Sequence, residues 1–181
     1  GCFVESPMVE AALAVAAEFV IEWTAYGRAL ERLGNRSHRA APQGVYRASG
    51  HEQWVALSVC DDDQWDALCV VMGRQDWRAA PELATHAGRW LHHDRLDESI
   101  GAWVGDRDAE QVAEVLAAAG VPASPVVDPR RCSRQPQMAA RGFTEVIPHP
   151  VVGSMSLPSM PYRWASVDRW IERHPPLIGE H

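Results

Sequence analysis

Residues 34–59 read GNRSHRAAPQGVYRASGHEQWVALSV, and this stretch decides the fold. Residues 45–48 and 54–59 are rich in aliphatic, aromatic and β-branched side chains, which predicts two strands. The polar, glycine-containing segment SGHEQ between them predicts the short loop of a β-hairpin. Residues 34–44 contain glycine, asparagine and proline without apolar periodicity, and this composition predicts a loop. The chain is therefore expected to enter a small domain through a loop followed by a hairpin.

Helices are expected after the hairpin. Asp61 stands three residues before Gln64, the spacing of a capping box. Apolar residues also repeat at helical spacing after Asp94 and after Asp108. We interpret Asp61, Asp94 and Asp108 as helix caps, and Asp128 as a cap in a proline turn, rather than as catalytic carboxylates.

The C-terminal part is predicted to be more extended. Residues 125–127 and 143–147 favour strands, with a short helix over 136–141 between them. Six prolines between residues 148 and 176 predict an irregular, extended segment after that. The predicted fold class is α/β, with an α+β small domain: a long N-terminal helix, a small sheet packed with helices, and an extended proline-rich C-terminal segment.

The N-terminal helix is unusually apolar. The Ser6 hydroxyl is expected to cap the helix start, with Pro7 at the first helical position, and Gly27 favours the helix end near Tyr26. Residues 8–23 are apolar apart from three glutamates, so most of the helix surface is expected to be buried. The same glutamates make the run too charged, and its length makes it too short, to span a bilayer. The pattern predicts that another part of a larger protein packs around this helix.

Composition excludes several kinds of protein. The 181 residues carry a formal net charge of −7, which argues against a general nucleic-acid binder. The four cysteines form no CxxC pair, and their scatter predicts free thiols in a reducing cytoplasm. His92 and His93 are adjacent, not four residues apart, so we expect surface histidines and no metal site.

Basic residues cluster near the end of the N-terminal helix. This local positive charge either holds a phosphate or carboxylate, or is a solvated helix end favoured by the helix dipole. Both interpretations fit the sequence. The cluster consists of Arg28, Arg32, Arg36, His38 and Arg39.

Several stretches besides residues 34–59 are informative when taken together. They are VESPMVEAAL (4–13), GVPASPVVDP (120–129), QPQMAARGF (135–143), HPVVGSMSLPSMPYRW (149–164) and PPLIGEH (175–181). In this order and spacing they resemble the family III coenzyme A transferases, also called the CaiB/BaiF group. This group includes formyl-CoA and carnitine CoA-transferases and the alpha-methylacyl-CoA racemases.

The resemblance implies a two-domain enzyme that transfers coenzyme A between carboxylic acids. In the family an aspartate attacks the acyl-CoA to form a mixed anhydride, and CoA thiolate then forms an aspartyl thioester. That aspartate lies upstream of the helix that matches residues 4–13, so this chain is expected to lack the catalytic residue and to be inactive alone. Acyl-CoA and a carboxylic acid are the implied substrates, with no prosthetic group. The alternatives are an acyl-CoA racemase of the same family and a non-catalytic dimerisation or binding module.

The resemblance also implies a division of the chain. Residues 1–33 would form a helix of the large domain, 34–44 a linker or active-site loop, 45–127 the small domain, and 128–181 a return segment on the large domain. The chain begins with Gly1 and stops after GEH, where relatives continue, so both ends are expected to be cut. The implied partner is a second copy in a homodimer, interlocked like links, or a chain that supplies the missing domain.

Residues 34–44 are the segment that the resemblance assigns to the active-site side. The counterpart in formyl-CoA transferases is glycine-rich and closes over the aspartyl intermediate. NRSHRAAPQ stands here instead, so the resemblance does not extend to a glycine-rich lid. The residues predicted to face the substrate or coenzyme A are Asn35, Arg36, His38, Gln43 and Gly44, and a plain linker role is the alternative.

Overall fold

The computed structural model describes residue 3 and residues 5–180, so the predicted free thiol of Cys2 lies outside it. Cys60, Cys69 and Cys132 are free thiols. The chain divides into two compact units, Gly1–Ser124 and Pro125–His181. The mixture of helices with small antiparallel sheets confirms the predicted fold class.

The first unit begins with two helices where one was predicted. Helix α1 covers Met8–Val15 and helix α2 covers Ala17–Tyr26, with a break at Ala16. Neither proline nor glycine marks the break, and nothing in the local residues explains it. No residue of either helix is buried, although most of their side chains are apolar. The prediction that another part of a larger protein packs around this segment stays a prediction.

The ends of this helical segment were predicted with mixed success. Gly27 takes the left-handed conformation at φ 65° and ends α2, as its lack of a Cβ allows. Pro7, not Ser6, occupies the N-cap position, and no side chain caps α1. The predicted cap by the Ser6 hydroxyl is therefore wrong.

A three-stranded sheet follows, in the order β1–β2–β3. Strands β1 (Gln43–Arg47) and β2 (Trp54–Ser58) form the predicted antiparallel hairpin. Strand β1 begins two residues earlier than expected, because Gln43 and Gly44 pair with the far end of β2. Strand β3 (Ala123–Pro125) lies next to β2 and also begins two residues earlier than the predicted strand over 125–127.

Helices cover one face of this sheet. Helix α6 packs on β1, α7 packs on β2, and α3 contacts both α4 and α7. The alternation along the hairpin explains the arrangement, since Tyr46, Val55 and Leu57 are buried while Val45 and Ala56 are half-buried on the other face. The helices are α3 (Asp62–Met72), α4 (Gln75–Ala79), a 3-10 turn (Pro81–Leu83), α5 (His86–Leu91), α6 (His93–Gly105) and α7 (Ala109–Ala118).

Two of the predicted aspartate caps are present in this unit. The Asp61 carboxylate accepts a hydrogen bond of 2.8 Å from the backbone amide of Gln64. The Asp108 carboxylate accepts from the amides of Glu110 and Gln111, each at 3.0 Å. These bonds satisfy amides that have no partner within the helix. Both carboxylates are therefore explained by capping.

A buried arginine joins three parts of the first unit. The Arg89 side chain is 1% exposed. Its guanidinium donates to the backbone carbonyls of Ala41 (3.1 Å) and Leu83 (3.3 Å) and to the carboxylate of Asp62 (2.7 Å). The planar fork of arginine suits such divergent acceptors. This residue ties the segment before β1 to the helices, and the sequence alone did not single it out.

The second unit is built on a hairpin. Strands β4 (Thr144–His149) and β5 (Gly153–Pro158) pair antiparallel. Strand β4 was predicted over 143–147, and helix α8 (Pro136–Arg141) matches the predicted short helix. Strand β5 was not predicted. A 3-10 helix over Pro129–Arg134 precedes α8, and the Asp128 side chain caps it as expected.

The Glu145 carboxylate anchors the irregular segment that follows β5. It accepts hydrogen bonds from the backbone amides of Trp170 and Ile171, each 3.1 Å, and from the hydroxyl of Ser159. The bond from Ser159 contributes most to lowering the pKa of Glu145. The proline-rich segment thus has a fixed attachment inside its own unit. Its assignment to a return segment on a large domain stays a prediction, as do the assignments of the other segments.

Candidate functional site

An open cavity of about 650 Å³ lies on the face of the first sheet opposite the core helices. Its floor is formed by the hairpin strands, Pro122 and the first two residues of β3, and its rim by the segment before β1. Four of the five predicted site residues line it: Asn35, Arg36, Gln43 and Gly44. The other lining residues are Gly34, Val45, Ala56, Leu57, Ser58, Pro122, Ala123 and Ser124.

His38, the fifth predicted site residue, lies elsewhere. It lines a separate cavity of about 420 Å³, together with residues such as Cys60 and His86. Its ring lies 5.0 Å from the ring of Trp90, measured between centroids. The structure therefore brings Asn35, Arg36, Gln43 and Gly44 together and leaves His38 apart from them.

Gln43 folds the predicted loop back on itself. Its side-chain carbonyl accepts a 2.9 Å hydrogen bond from the hydroxyl of Ser37, and its amide group donates to the backbone carbonyl of Asn35 at 3.1 Å. Ser37 and Ala40 also form an isolated β-bridge. Because the two ends of residues 35–43 are bonded to each other, the segment is a closed loop.

Arg36 is held by two carboxylates of helix α6. Its guanidinium donates to Asp97 at 3.1 Å and to Asp94 at 2.6 Å. The hydrogen bond that Arg36 donates to Asp94 contributes most to raising the pKa of Arg36. Asp94 was predicted to cap this helix, and that prediction is wrong: His92 holds the N-cap position, and Asp94 stands in the first turn, where it pairs with Arg36.

Two of the other arginines near α2 also have acidic partners on this chain. Arg28 pairs with Glu22 at 2.8 Å, and Arg39 pairs with Glu18 at 3.0 Å. Glu22 is 23% exposed and the other three side chains are well exposed, so each pair stabilises the fold only weakly. Since Arg36 is also paired, three of the four clustered arginines are neutralised locally. This arrangement favours the solvated helix end over a site for a phosphate or carboxylate.

A buried tyrosine lies behind Arg36. The hydroxyl of Tyr46 donates to the second oxygen of Asp97 at 2.6 Å. Burial, followed by this bond, raises the pKa of Tyr46. Gly44 is required for this geometry, because a Cβ there would lie 2.7 Å from the Tyr46 ring and hydroxyl. The glycine that lines the cavity therefore also leaves room for the tyrosine beneath it.

His93, predicted to be a surface residue, is buried at 2% exposure. Its Nε2 accepts a 2.9 Å hydrogen bond from the backbone amide of Gln43. An accepting Nε2 carries no proton, so the neutral ring holds its proton on Nδ1. Burial lowers the pKa of His93, against a smaller opposing effect of the Asp97 carboxylate. The prediction failed because the hydrogen-bond partner of this ring, the Gln43 amide, lies 50 positions away in sequence.

Stability is expected to fall on acidification because of His93. Its folded-state pKa is lower than the ordinary 6.5. As the pH drops, the His93 ring therefore binds a proton in the unfolded chain before it does so in the folded chain. The contribution of the neutral ring to the free energy of unfolding is complete above pH 6.5 and is lost as the pH falls towards the folded-state pKa. The loss is at most about 1.4 kcal/mol per pH unit. Urea unfolding between pH 7.5 and about 5 measures it.

The matched variant for this prediction is His93→Gln. Its side-chain carbonyl can accept the Gln43 amide hydrogen bond but does not titrate in this range. The pH slope of its unfolding free energy should be smaller than that of the wild type. Equal slopes in the two proteins would contradict the assignment to His93.

The lining of the cavity combines apolar side chains with amides, hydroxyls and the guanidinium of Arg36. Its described lining residues include no aspartate, glutamate, cysteine or histidine. Over residues 3 and 5–180, no group of three or more such side chains is placed to hold a metal ion. In the same part of the chain, no helix has the length and apolar character needed to cross a membrane. A bound molecule would contact apolar side chains of the strands and a few polar groups.

Known structures share this fold. A CaiB/BaiF family protein from Brucella suis superposes with a TM-score of 0.78 at 23% identity, over 93% of this chain and 43% of that one. The Rv3272 protein of Mycobacterium tuberculosis superposes with a TM-score of 0.74 at 20% identity, over 98% of this chain and 45% of that one. The fold is thus that of the CaiB/BaiF class.

The sequence places the chain more narrowly. It belongs to CoA-transferase family III, whose family model matches residues 1–181, and the resemblance found in the motifs is confirmed. It is 25% identical over 181 residues to the succinyl-CoA–D-citramalate CoA-transferase of Chloroflexus aurantiacus, covering 100% of this chain and 45% of the relative. It is 24% identical over 159 residues to a formyl-CoA:oxalate CoA-transferase of Rhodopseudomonas palustris, covering 86% and 37%. The chain spans less than half the length of these relatives.

Proposed function

We propose that this chain is part of a cytoplasmic enzyme that transfers coenzyme A from an acyl-CoA to a free carboxylic acid. The observation that carries the proposal is the family match over residues 1–181. The two relatives described above are CoA-transferases by name, acting on succinyl-CoA with citramalate and on formyl-CoA with oxalate. Acyl-CoA and a carboxylic acid are the proposed substrates, without a prosthetic group.

The proposed reaction uses an aspartate that precedes residue 1. Its carboxylate attacks the thioester carbonyl, which forms a mixed anhydride and releases CoA thiolate. The thiolate then attacks the aspartyl carbonyl, forming an aspartyl-CoA thioester and releasing the first acid. The acceptor acid repeats these two steps in reverse order and leaves as its own CoA thioester. A carboxylate nucleophile keeps every intermediate activated.

The cavity on the first sheet supports a role in holding the acyl or acceptor-acid end of the substrates. Its floor includes Val45, Ala56 and Pro122, which suit an apolar group. The one charged lining residue, Arg36, already has two carboxylate partners, so the cavity offers little free charge for the phosphates of coenzyme A. We propose that Asn35, Arg36, Gln43 and Gly44 form the substrate-facing wall, which the missing part of the enzyme completes.

Coenzyme A exchange by the natural protein that contains these residues tests the proposal. Succinyl-CoA or formyl-CoA is mixed with citramalate or oxalate, and new acyl-CoA is measured by mass spectrometry. We expect exchange, together with an aspartate upstream of residue 1 that hydroxylamine modifies during turnover. The isolated 181-residue chain is the control and should show neither.

Other outcomes separate the alternatives. Deuterium incorporation at the alpha carbon of a 2-methylacyl-CoA, without transfer, would identify a racemase instead. A natural protein that exchanges CoA with no acid and moves no alpha proton would point to a non-catalytic module. The exposed apolar helices α1 and α2 favour a role in dimerisation or binding to another chain, because such surfaces normally pack against another protein segment.

A further inference from the structure

Two residues of helix α6 hold the opposite ends of the loop that lines the cavity. His93 and Asp97 stand four positions apart and therefore lie on the same face of the helix. His93 accepts from the backbone amide of Gln43, at the end of the loop, and Asp97 accepts from the side chain of Arg36, near its beginning. The two helix residues are close to each other, with 3.6 Å between His93 Nε2 and Asp97 Oδ1.

We propose that His93 and Asp97 are positioning residues that latch residues 36–43 as a fixed wall of the substrate cavity. That the cavity holds substrate rests on the proposed function, whereas the latch rests only on the contacts. Neither side chain lines the cavity, so each acts through the residues that it holds. The loop is bonded to itself through Gln43, and the latch fixes this closed loop to the helix at two points.

The latch is built from groups that the fold buries or shares. Asp97 is 27% exposed, and its Oδ2 accepts from Arg36 while its Oδ1 accepts from Tyr46. Tyr46 is 6% exposed and packs in the core, which fixes the position of the Asp97 carboxylate. His93 satisfies an amide of β1, an edge strand that has no neighbour on its outer side in the sheet. Gln43 is half-buried, so its amide would be only partly rehydrated if this hydrogen bond were lost.

The chemistry of the imidazole makes the latch dependent on its proton. Protonated His93 would carry a hydrogen on Nε2, and the Gln43 amide could no longer donate to that atom. The Asp97 carboxylate at 3.6 Å would attract the new proton instead. The other charges that act on the ring are those of Arg36 and Asp94, of opposite sign to each other, and the Trp90 ring packs edge-on at 5.5 Å. Protonation therefore exchanges one partner of the ring for another and releases the end of the loop.

Amide hydrogen exchange in the 181-residue chain tests the latch without any activity. In His93→Leu and Asp97→Asn, we expect the protection factors of amides in residues 36–43 to fall about tenfold or more. Those of Val55 and Leu57 in the neighbouring strand should change less. A uniform loss throughout the unit would mean that these residues support only global stability and would overturn the proposal, as would unchanged protection of the loop.

Matched variants keep this test informative if His93→Leu does not fold. His93→Gln retains an acceptor and should preserve the protection of the Gln43 amide at pH 7, while removing its decline at lower pH. His92→Leu alters the adjacent, half-buried histidine and should leave the loop unchanged. Asp94→Asn removes the exposed partner of Arg36 and should have a smaller effect than Asp97→Asn.

Kinetics of the natural protein add a second measurement. If the cavity holds substrate, Asp97→Asn should raise KM several-fold for an acyl-CoA or its acceptor acid, with a smaller change in kcat. If the wild-type natural protein transfers no CoA, the proposed function is refuted, but the hydrogen-exchange results on the latch still hold. Normal kinetics together with a loosened loop would overturn the assignment of the wall to the substrate site.

Discussion

Replacing Arg89 with methionine is expected to lower the free energy of unfolding of the first unit by about 3 kcal/mol. Methionine keeps an unbranched stem but donates no hydrogen bond, so the carbonyls of Ala41 and Leu83 lose a donor. Both residues are 0% exposed, and an orphaned buried polar group costs about 1–3 kcal/mol. The third partner, Asp62, is 77% exposed and regains water, so it adds little. Urea unfolding followed by tryptophan fluorescence measures the total.

Arg95→Met is the matched control for this prediction. Arg95 pairs with Glu82 at 3.4 Å, but both side chains are about half exposed. Its loss should change the stability by less than about 0.5 kcal/mol. Hydrogen exchange at Val55 and Leu57 confines the comparison to the first unit. Equal effects of the two substitutions would show that burial of Arg89 contributes no more than a surface ion pair.

Gly88→Ala is expected to destabilise the same unit by about 2–3 kcal/mol. A Cβ at this position would overlap the backbone carbonyl oxygen of Glu82 and approach its carbonyl carbon to 3.0 Å. Backbone cannot rotate away as a side chain can, so the 3-10 turn or helix α5 must shift. Overpacking of this kind typically costs 1–3 kcal/mol. The same urea unfolding measures the change, and near-UV circular dichroism reports any displacement of the nearby tryptophans.

Gly101→Ala provides the opposite expectation with the same chemical change. Gly101 lies inside helix α6, and the nearest atom to its added Cβ is a ring carbon of Tyr46 at 4.0 Å, an ordinary contact. Alanine is the better helix former by about 1 kcal/mol, so this variant should be neutral or slightly more stable. If both glycine variants were equally stable, the close approach at Gly88 would be refuted.

Local rules predicted much of the fold. The hairpin, the caps at Asp61 and Asp108, and the end of α2 at Gly27 follow from residues within a few positions of one another. Strand β5 was missed because Gly153, Pro158 and the prolines before it suggested irregular structure, whereas pairing with β4 stabilises it. The break between α1 and α2 has no signal in the sequence.

The site was less predictable because its contacts are long-range. Four of the five predicted residues do line one cavity, since they lie close together along the chain. What holds them is not visible locally: His93 and Asp97 bond to residues 50 and 61 positions away. Asp94 looked like a cap because it precedes a helical pattern, but its position relative to Arg36 decides its role. Only the folded chain shows which histidine is buried.

The imidazole at the outer edge of β1 also bears on association between molecules. An unpaired edge strand offers its free amides to the carbonyls of any other extended chain, the first step in aggregation by strand addition. His93 already occupies the Gln43 amide from the side of its own helix, so that position is closed to an incoming strand. The neutral ring of His93 thus removes one free amide from the outer edge of β1, and protonation of the ring would return that amide to the edge.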